Sequence, residues 1–440
     1  MSLVVMIRSR LTAKGEPYPQ VNQTARSLKK MGHEVVLFGW DRTAGCRYSS
    51  RTDWGWIERY PVTVPIDRTF GRDGFIGRLP GFYWWIRKRV YFFYKKHGYK
   101  DIIFHVHDLD MLPLGILLSK ALDKPLIYEA HENYGGMIYN VVGPDLSNYV
   151  QRVEMYLLRF CDALIGSGPP VYAWLMSLLA RGYPPQKGFP IIEDYKEIKR
   201  YFTEKIPSNP EWDRVIDAFD APERLLCNDD ITMISNAKDL EEYEGDYEKP
   251  ELFSKLKGLN FLYVGVFIGE NLKHLPQIIT VIKRIPGVNL IIAGYGSKSG
   301  VVEKMANENE NIHFIGPLVP DDIPMWTRSV DATLRLEDVT NLNSIYSTAN
   351  IFFSSLAAGK PLLCNDDIIS GHIIKIKEAG FAIPFGDWIE FDKTIRYMRD
   401  NPDEVKRRGS NAKKLAIEKH NWAINEKRLH ALYDRVILNR

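Results

Sequence analysis

Cysteine is scarce in this sequence. The 440 residues include four, and none of them forms a Cys-x-x-Cys pair or lies near a histidine at metal-ligand spacing. The spacing therefore predicts no zinc site, and we expect no metal in the functional site. Such sparse, unpaired cysteine is typical of a protein of the reducing cytoplasm, where we expect this one to be located.

Long apolar runs and an excess of one charge are also missing. No run is long enough to span a bilayer, and Arg8 and Arg10 interrupt the opening apolar stretch, which predicts a strand rather than a signal peptide. Lys and Arg number 58 against 55 Asp and Glu, a net charge of +3. A general nucleic-acid binder would show a marked basic excess, so we expect no nucleic-acid partner.

The sequence does contain two series of alternating strands and helices. Its length favours two or more domains. In the first half, apolar strands are predicted at 3–9, 34–40, 101–108, 124–132 and 163–168. The second half repeats the pattern from 260–267 through 289–296, 312–316, 331–336, 361–365 and 381–385. Apolar strands without polar alternation indicate parallel sheets covered on both faces, so the predicted fold class is α/β.

The pattern predicts two doubly wound, Rossmann-like domains. We place the first at residues 1–240, with an insertion at about 184–230, and the second at 241–420. Residues 421–440 are predicted to form a helix that packs back on the first domain. Open sheets of this kind bind ligands beyond the carboxyl ends of their strands, so a cleft between the domains is the expected site.

Several stretches, in the same order, resemble the retaining glycosyltransferases of family 4, which have the two-domain GT-B fold. The stretches are 20–39, 105–134 with its His-x-His-Asp and His-Glu segments, 231–243, 261–267, 312–334, 355–363 and 378–422. Each motif alone is weak, and their joint order carries the resemblance. The resemblance implies transfer of a sugar from a nucleotide-diphosphate sugar to a glycan or lipid-linked acceptor, without a separate cofactor.

In the first domain, the resemblance places His107 near the transferred sugar, with Asp108 beside it as the second catalytic residue. His105 and His107 share one face of their strand, and a buried structural role is the alternative for His107. His131 and Glu132 follow another strand and are expected to bind the acceptor. Lys14 and Gly15 lie in the loop after the first strand, where acceptor binding and a solvated basic loop are both open.

In the second domain, six residues are candidates for donor binding: Gly265, Lys273, Leu318, Glu337, Asn350 and Ser354. The resemblance places Lys273 at the diphosphate, with a solvated lysine at a helix start as the alternative, and Glu337 is either a substitute for a missing family residue or a solvated loop charge. The sequence also departs from the family pattern. Val266 replaces an arginine, Tyr346 and Ser354 replace two glutamates, and Ile351 replaces a lysine of a related form. The alternative function is therefore a catalytically silent GT-B protein that supports an active partner, and a sugar-nucleotide epimerase is a weaker third reading.

Residues 78–100 combine aromatic rings with basic side chains. Phe82, Ile86, Val90 and Phe93 fall on one helical face, and lysines and arginines lie elsewhere. The segment could contact an anionic membrane surface, or it could be an ordinary helix that covers the first sheet.

Overall fold

The computed structural model describes residues 2–12, 16–42, 48–64, 74–97, 101–132, 134–158, 160–168, 171, 231–267, 272, 274–339, 344 and 348–438. The expected insertion at about 184–230 lies outside these residues. The described chain divides into two compact units. The first holds the residues before 172 together with 231–235 and 425–438, and the second holds 236–424.

The first unit is built on a sheet that has eight strands within the described residues, in the order β3-β4-β2-β1-β5-β6-β7-β8. The strands are β1 Leu3–Arg8, β2 Glu34–Trp40, β3 Ser49–Arg51, β4 Gly55–Tyr60, β5 Ile102–His107, β6 Leu126–Ala130, β7 Ala163–Gly166 and β8 Ile231–Met233. The helices are α1 Pro19–Lys30, α2 Phe75–His97, α3 Leu112–Leu122, α4 Tyr134–Val142 and α5 Pro144–Leu158. All pairs are parallel except β3 with β4.

The second unit has a parallel sheet of six strands within the described residues, in the order β11-β10-β9-β12-β13-β14. The strands are β9 Leu259–Val266, β10 Val288–Tyr295, β11 Ile312–Phe314, β12 Ala332–Arg335, β13 Leu362–Asn365 and β14 Gly380–Ile383. The helices are α6 Leu275–Ile282, α7 Ser299–Asn307, α8 Ile323–Ser329, α9 Asn350–Ala358, α10 Ile369–Ile376, α11 Trp388–Asp400 and α12 Pro402–Lys419. A final helix, α13, runs from Trp422 to Leu438.

These two parallel-sheet units confirm the predicted fold class. The stretch around α9 shows how the sequence dictates it. The helix ends at Gly359, whose φ of 65° is readily available only to glycine, and the buried strand β13 follows. The sequence analysis predicted neither β3 nor β4, which lie in the segment that the resemblance does not cover.

Helix α2 covers the first sheet. Its face of Phe82, Ile86 and Val90 is fully buried in the core of the first unit. The apolar face that the sequence offered to a membrane is therefore not available for that contact. Among the described residues, no helix combines the length and the apolar character needed to cross a bilayer.

Candidate functional site

A row of polar side chains crosses three neighbouring strands of the first unit at their carboxyl ends. In the strand register, Arg8 at the end of β1 faces His107 at the end of β5, and His107 faces Glu129 of β6. Side chains at paired positions of parallel strands project from the same face of the sheet. The register therefore brings a guanidinium, an imidazole and a carboxylate together at one edge.

Glu129 is the centre of this group and is completely buried. Gln20, the second residue of α1, donates from Nε2 to Glu129 Oε1 at 2.7 Å. The other oxygen, Oε2, lies 3.0 Å from His105 Nε2, at an oblique angle, and 3.4 Å from His107 Nδ1. Since a buried carboxylate needs donors around it, these contacts explain how an ionised side chain is accommodated within an apolar strand.

The contacts of His131 fix where the protons sit. Arg8 Nη1 lies 2.8 Å from His131 Nε2, and an arginine only donates, so this histidine nitrogen is the acceptor. His107 Nδ1 lies 3.0 Å from the same nitrogen and must therefore carry its own proton. Neutral His107 thus keeps a free lone pair on Nε2, an atom that is buried and has no hydrogen-bond partner among the described residues.

Burial and the neighbouring cations keep the two histidines neutral. Burial lowers the pKa of His107 well below its usual value, and His105, His131 and Arg8 lower it further. Burial and the Arg8 guanidinium also lower the pKa of His131, although Glu129 acts in the opposite direction. Burial alone would raise the pKa of Glu129, but His131, His105 and Arg8 together hold that pKa below its usual value.

The last helix of the chain reaches the same group. Tyr433 of α13 places its hydroxyl 2.9 Å from His105 Nδ1. Because His105 Nε2 faces the carboxylate of Glu129, Nε2 is the ring nitrogen that carries a proton, and Tyr433 donates to Nδ1. His105 thus lies between the hydroxyl of Tyr433, on its Nδ1 side, and the carboxylate of Glu129, on its Nε2 side.

Metal-ligand atoms of His105, His107 and Glu129 all lie within 4.8 Å of one another, so this group could also hold a metal ion. Such an ion would require the facing nitrogens of both histidines to be deprotonated. One of those two nitrogens, His107 Nδ1, carries the proton that it donates to His131 Nε2.

Asp108 stands directly after β5 in a left-handed conformation with φ of 67°. Its backbone N–H donates to Glu129 O, and its Oδ1 accepts from the backbone N–H of His131 at 3.1 Å. The carboxylate lies 3.9 Å from Arg8. Asp108 thus ties the ends of β5 and β6 together, and its partly exposed carboxylate balances the charge of Arg8.

Two further, partly buried groups lie beside this edge. Burial and the charge of Asp108 raise the pKa of Asp110 to about 7, with Ser9 and Arg42 acting the other way. Burial lowers the pKa of Arg42 to about 10. Its guanidinium lies 3.9 Å from the ring centre of Phe75. Sequence reasoning did not single out Asp110 or Arg42.

In the second unit, the ends of β9 and β10 approach closely at two glycines. Gly265 is a predicted site residue, and Gly294 was not predicted. A Cβ on Gly294 would lie 1.9 Å from the carbonyl oxygen of Gly265, and Gly294 has φ of 151°. A side chain at Gly294 is therefore excluded both by space and by the backbone.

The end of β12 holds an ion pair. Arg335 Nε donates to Glu337 Oε1 at 2.5 Å and Nη1 donates to Val264 O at 3.1 Å. The backbone N–H of Glu337 donates to Asn365 at the end of β13. Glu337 is thus held at the carboxyl edge of the sheet by two neighbouring strands.

The predicted donor residues near α9 have different surroundings. Asn350 is the exposed first residue of α9, and its side-chain oxygen accepts from Lys238 at 3.1 Å. Ser354 is 2% exposed and contacts Tyr243, so it faces the interior of the unit. Leu318 packs in a small apolar cluster with Leu262 and Ile291. The structure brings Asn350 to the surface but not Ser354.

Three predicted site residues, Lys14, Gly15 and Lys273, lie outside the described residues, as does Tyr346. Glu132 follows His131 after β6 and is partly exposed. His107, Asp108 and His131 do come together, as their strand-end positions suggested. The residue that holds them, Glu129, was not predicted.

The comparisons with known proteins agree with this architecture. Residues 20–187 match the family Glycosyltransferase Family 4, and residues 246–415 match Glycosyl transferases group 1. EpsD of Bacillus subtilis (strain 168), a protein named as a glycosyltransferase, is 23% identical over 155 residues, which are 34% of this chain and 38% of EpsD. The match thus spans well under half of that relative.

Solved structures match over the whole chain. Sucrose-phosphate synthase from Thermosynechococcus elongatus has a TM-score of 0.69 at 13% identity, covering 100% of both chains. HepE from Anabaena, solved in complex with UDP and glucose, has a TM-score of 0.64 at 12% identity, covering 99% of this chain and 100% of HepE. The chain therefore belongs to the GT-B glycosyltransferases, with a Glycosyltransferase Family 4 half followed by a Glycosyl transferases group 1 half.

Proposed function

We propose that the protein is a retaining glycosyltransferase that moves a sugar from a nucleotide-diphosphate sugar to a glycan or lipid-linked acceptor. The observation that carries the proposal is the buried array around Glu129, in which His107 Nε2 keeps a lone pair that has no hydrogen-bond partner among the described residues. A sugar hydroxyl is the natural donor to such a lone pair. Holding the lone pair in one fixed direction orients the transferred sugar before the reaction begins.

The second unit binds the nucleotide in this proposal. Parallel sheets bind ligands beyond the carboxyl ends of their strands, where Gly265 and Glu337 lie. Asn350 opens α9, and a helix start supplies free N–H groups and a positive dipole for a diphosphate. HepE, whose fold this chain shares, was solved with UDP and glucose, which supports a nucleotide-sugar donor.

The first experiment is a thermal shift screen of UDP, GDP and ADP. We expect one of them to raise the melting temperature by several degrees, because ligand at 100 times its Kd adds about 2.7 kcal/mol of stability. Donor hydrolysis with the stabilising nucleotide's sugars then identifies the donor. If no nucleotide stabilises the protein and no donor is hydrolysed, the enzyme proposal is wrong and the silent-partner alternative gains support.

Retention is tested separately. The product formed from an α-linked donor is expected to be an α-glycoside, which the anomeric proton coupling in NMR reports. A β-linked product would contradict retention and leave sugar transfer itself intact.

A membrane contact for α2 belongs to the same proposal, through the helix's outer face. A groove of about 590 Å³ is lined by three side chains that are each more than half exposed: Trp84 and Tyr91 of α2 and Leu117 of α3. Arg87 and Lys88 line the same groove, and Lys88 Nζ lies 3.7 Å from the ring centre of Trp84. Rings beside cations suit the headgroup level of an anionic bilayer.

We expect the protein to sediment with phosphatidylglycerol vesicles and much less with phosphatidylcholine vesicles. The double change Arg87→Ala and Lys88→Ala should reduce partitioning by about 30-fold, since each cation near an anionic surface contributes about 1 kcal/mol. The control is Tyr397→Ala, which removes an exposed ring of α11. Equal binding by the double variant and the control would contradict the contact.

A further inference from the structure

Lys238 occupies a position where the family pattern has an apolar residue. In the stretch Ser235 to Asp239, it stands in place of the valine of Pro-Asn-Gly-Val-Asp. The backbone there is fixed, because Lys238 pairs with Asn421 in an isolated bridge and its carbonyl accepts from the N–H of Trp422 at 2.9 Å. The side chain therefore starts from a rigid point within the second unit.

The side chain is buried, and its charge has no carboxylate partner. Lys238 is 7% exposed, and its Nζ donates to Asn350 Oδ1 at 3.1 Å. Asn350 is neutral, and it accepts only one of the three hydrogen bonds that an ammonium can donate. Within the part of the chain that the structure describes, no carboxylate lies within ion-pair distance of Nζ, and Glu242 acts on it only from farther away.

The ammonium also lies where the protein's own dipoles oppose it. Asn350 is the first residue of α9, and the positive end of a helix dipole repels a cation. Burial lowers the pKa of Lys238 to about 8, with Glu242 acting in the opposite direction. The start of α9 is not capped by a side chain either, because Ala349 stands at the N-cap. The Lys238 ammonium and the N-terminus of α9 therefore both create a positive potential beside Asn350, and no carboxylate of the described residues is paired with the ammonium there.

One nearby arginine of the second unit is already neutralised. Arg335, at the end of β12, is paired with Glu337 at 2.5 Å. Val266 stands where the resembled family has an arginine. Among the described residues, Lys238 is the cation whose side chain contacts the first residue of α9.

We propose that Lys238 binds the diphosphate of the donor at the start of α9 and supplies the positive charge that Val266 does not. This inference rests on the proposed function, because it assigns a ligand group to the donor site. The diphosphate accepts hydrogen bonds from the ammonium and from the first N–H groups of α9, while Asn350 keeps the ammonium in place. The anion also removes the electrostatic conflict of the free protein.

The test compares Lys238→Met and Lys238→Arg with the wild type, using isothermal titration calorimetry and the nucleoside diphosphate that stabilises the wild type. Lys238→Met is expected to weaken nucleotide binding by about 10- to 100-fold, and Lys238→Arg, which keeps the charge, should restore most of it. Lys255→Met is the matched control, since the Lys255 side chain is 75% exposed, and it should bind as the wild type does.

Two further readouts separate binding from a structural role. Without nucleotide, Lys238→Met should melt at the same temperature or a few degrees higher, because it removes an uncompensated buried charge. Between pH 8 and pH 9.5, the wild type should take up protons on binding and lose affinity as the pH rises, whereas Lys238→Met should do neither. Proton uptake is measured by repeating the titration in buffers of different ionisation enthalpy.

The outcomes distinguish this inference from the proposed function. If the wild type binds no nucleotide, donor binding itself fails. If the wild type and Lys238→Met bind equally, Lys238 is not a diphosphate ligand, and the proposed function stands. If Lys238→Met does not fold, two folded variants decide: retained affinity without proton uptake in Lys238→Arg, whose guanidinium stays charged, and a loss of both affinity and proton uptake in Lys238→Gln support the proposal, and any other pattern decides against it.

Discussion

Replacing Glu129 by glutamine is expected to destabilise the first unit by about 3–5 kcal/mol, since removing one member of a buried charge group leaves the others uncompensated. The amide can still accept from Gln20, but its NH₂ group would face the N–H of His105 and of His107. For a unit of this size the melting temperature should fall by roughly 10 °C. Differential scanning calorimetry measures the change.

The same substitution should alter the pH dependence of stability. The folded-state pKa of Glu129 lies below its usual 4.5, so its stabilisation is present above that value and is lost as the pH falls through the folded pKa. His107 has a pKa lowered below 6.5, so the unfolded chain takes up its proton first and stability also falls as the pH drops below about 6.5. Glu129→Gln should remove the loss below pH 4.5 and keep the loss that begins near pH 6.5.

The control for Glu129→Gln is Asp101→Asn, an exposed carboxylate just before β5, at the opposite end of that strand from His107. It should change the melting temperature by no more than a degree or two, because exposed charges contribute little. Equal melting temperatures for the wild type and Glu129→Gln would show that the carboxylate does not stabilise the array.

The sequence was sufficient to predict the fold and part of the site. Apolar strand periodicity gave β1, β2, β5, β6 and β7 because each is buried on both faces, which leaves a continuous apolar signal. His107 and His131 were found because they follow strand ends, where ligands bind in such sheets. Strand β3 was not predicted because it is a polar strand of three residues at the sheet edge, and β4 was not predicted because Glu58 and Arg59 interrupt its apolar pattern.

Glu129 was missed although a signal existed. It is the charged residue of an otherwise apolar strand, and it shares a face with His131 two positions later. What the sequence could not supply was the register, which sets Glu129 beside His107 and brings Gln20 from α1 and Tyr433 from the end of the chain. Contacts between residues so distant along the chain depend on the whole fold.

The serines of α9 show a different limit. Ser354 and Ser355 stand where the family pattern places a glutamate and its neighbour, and both are buried. Ser355 Oγ donates to Ile351 O, one turn earlier, and also contacts the hydroxyl of Thr333 on β12. Ser355 thus fastens the helix to the sheet, and Ser354 contacts Tyr243. In our proposal the charge at this end of the site comes from Lys238, whose contact with α9 could not be predicted from its position in the sequence.

Two substitutions of His107 should separate its two nitrogens. The side-chain nitrogen of asparagine can occupy the place of Nδ1 and donate toward Glu129 or His131, but nothing replaces the Nε2 lone pair. His107→Asn should therefore fold and lose about 10- to 100-fold in kcat/KM, since a substrate hydroxyl is left unpaired in a buried site. His107→Gln carries its amide at the place of Nε2 and lacks the donor at Nδ1, so it should lose stability as well as activity.

The loss of activity in His107→Asn is expected to be largely independent of pH between 6 and 8, because His107 is neutral throughout that range in the folded protein. A histidine that acted by gaining a proton would instead give a rate that changes through its pKa. Nitrogen chemical shifts of labelled His107 give an independent check. Arg8 donates to His131 Nε2, so His107, which contacts the same nitrogen, must carry its proton on Nδ1. If the proton is found on Nε2 and His107→Asn keeps full activity, His107 has no lone pair on that nitrogen and the role assigned to it is wrong.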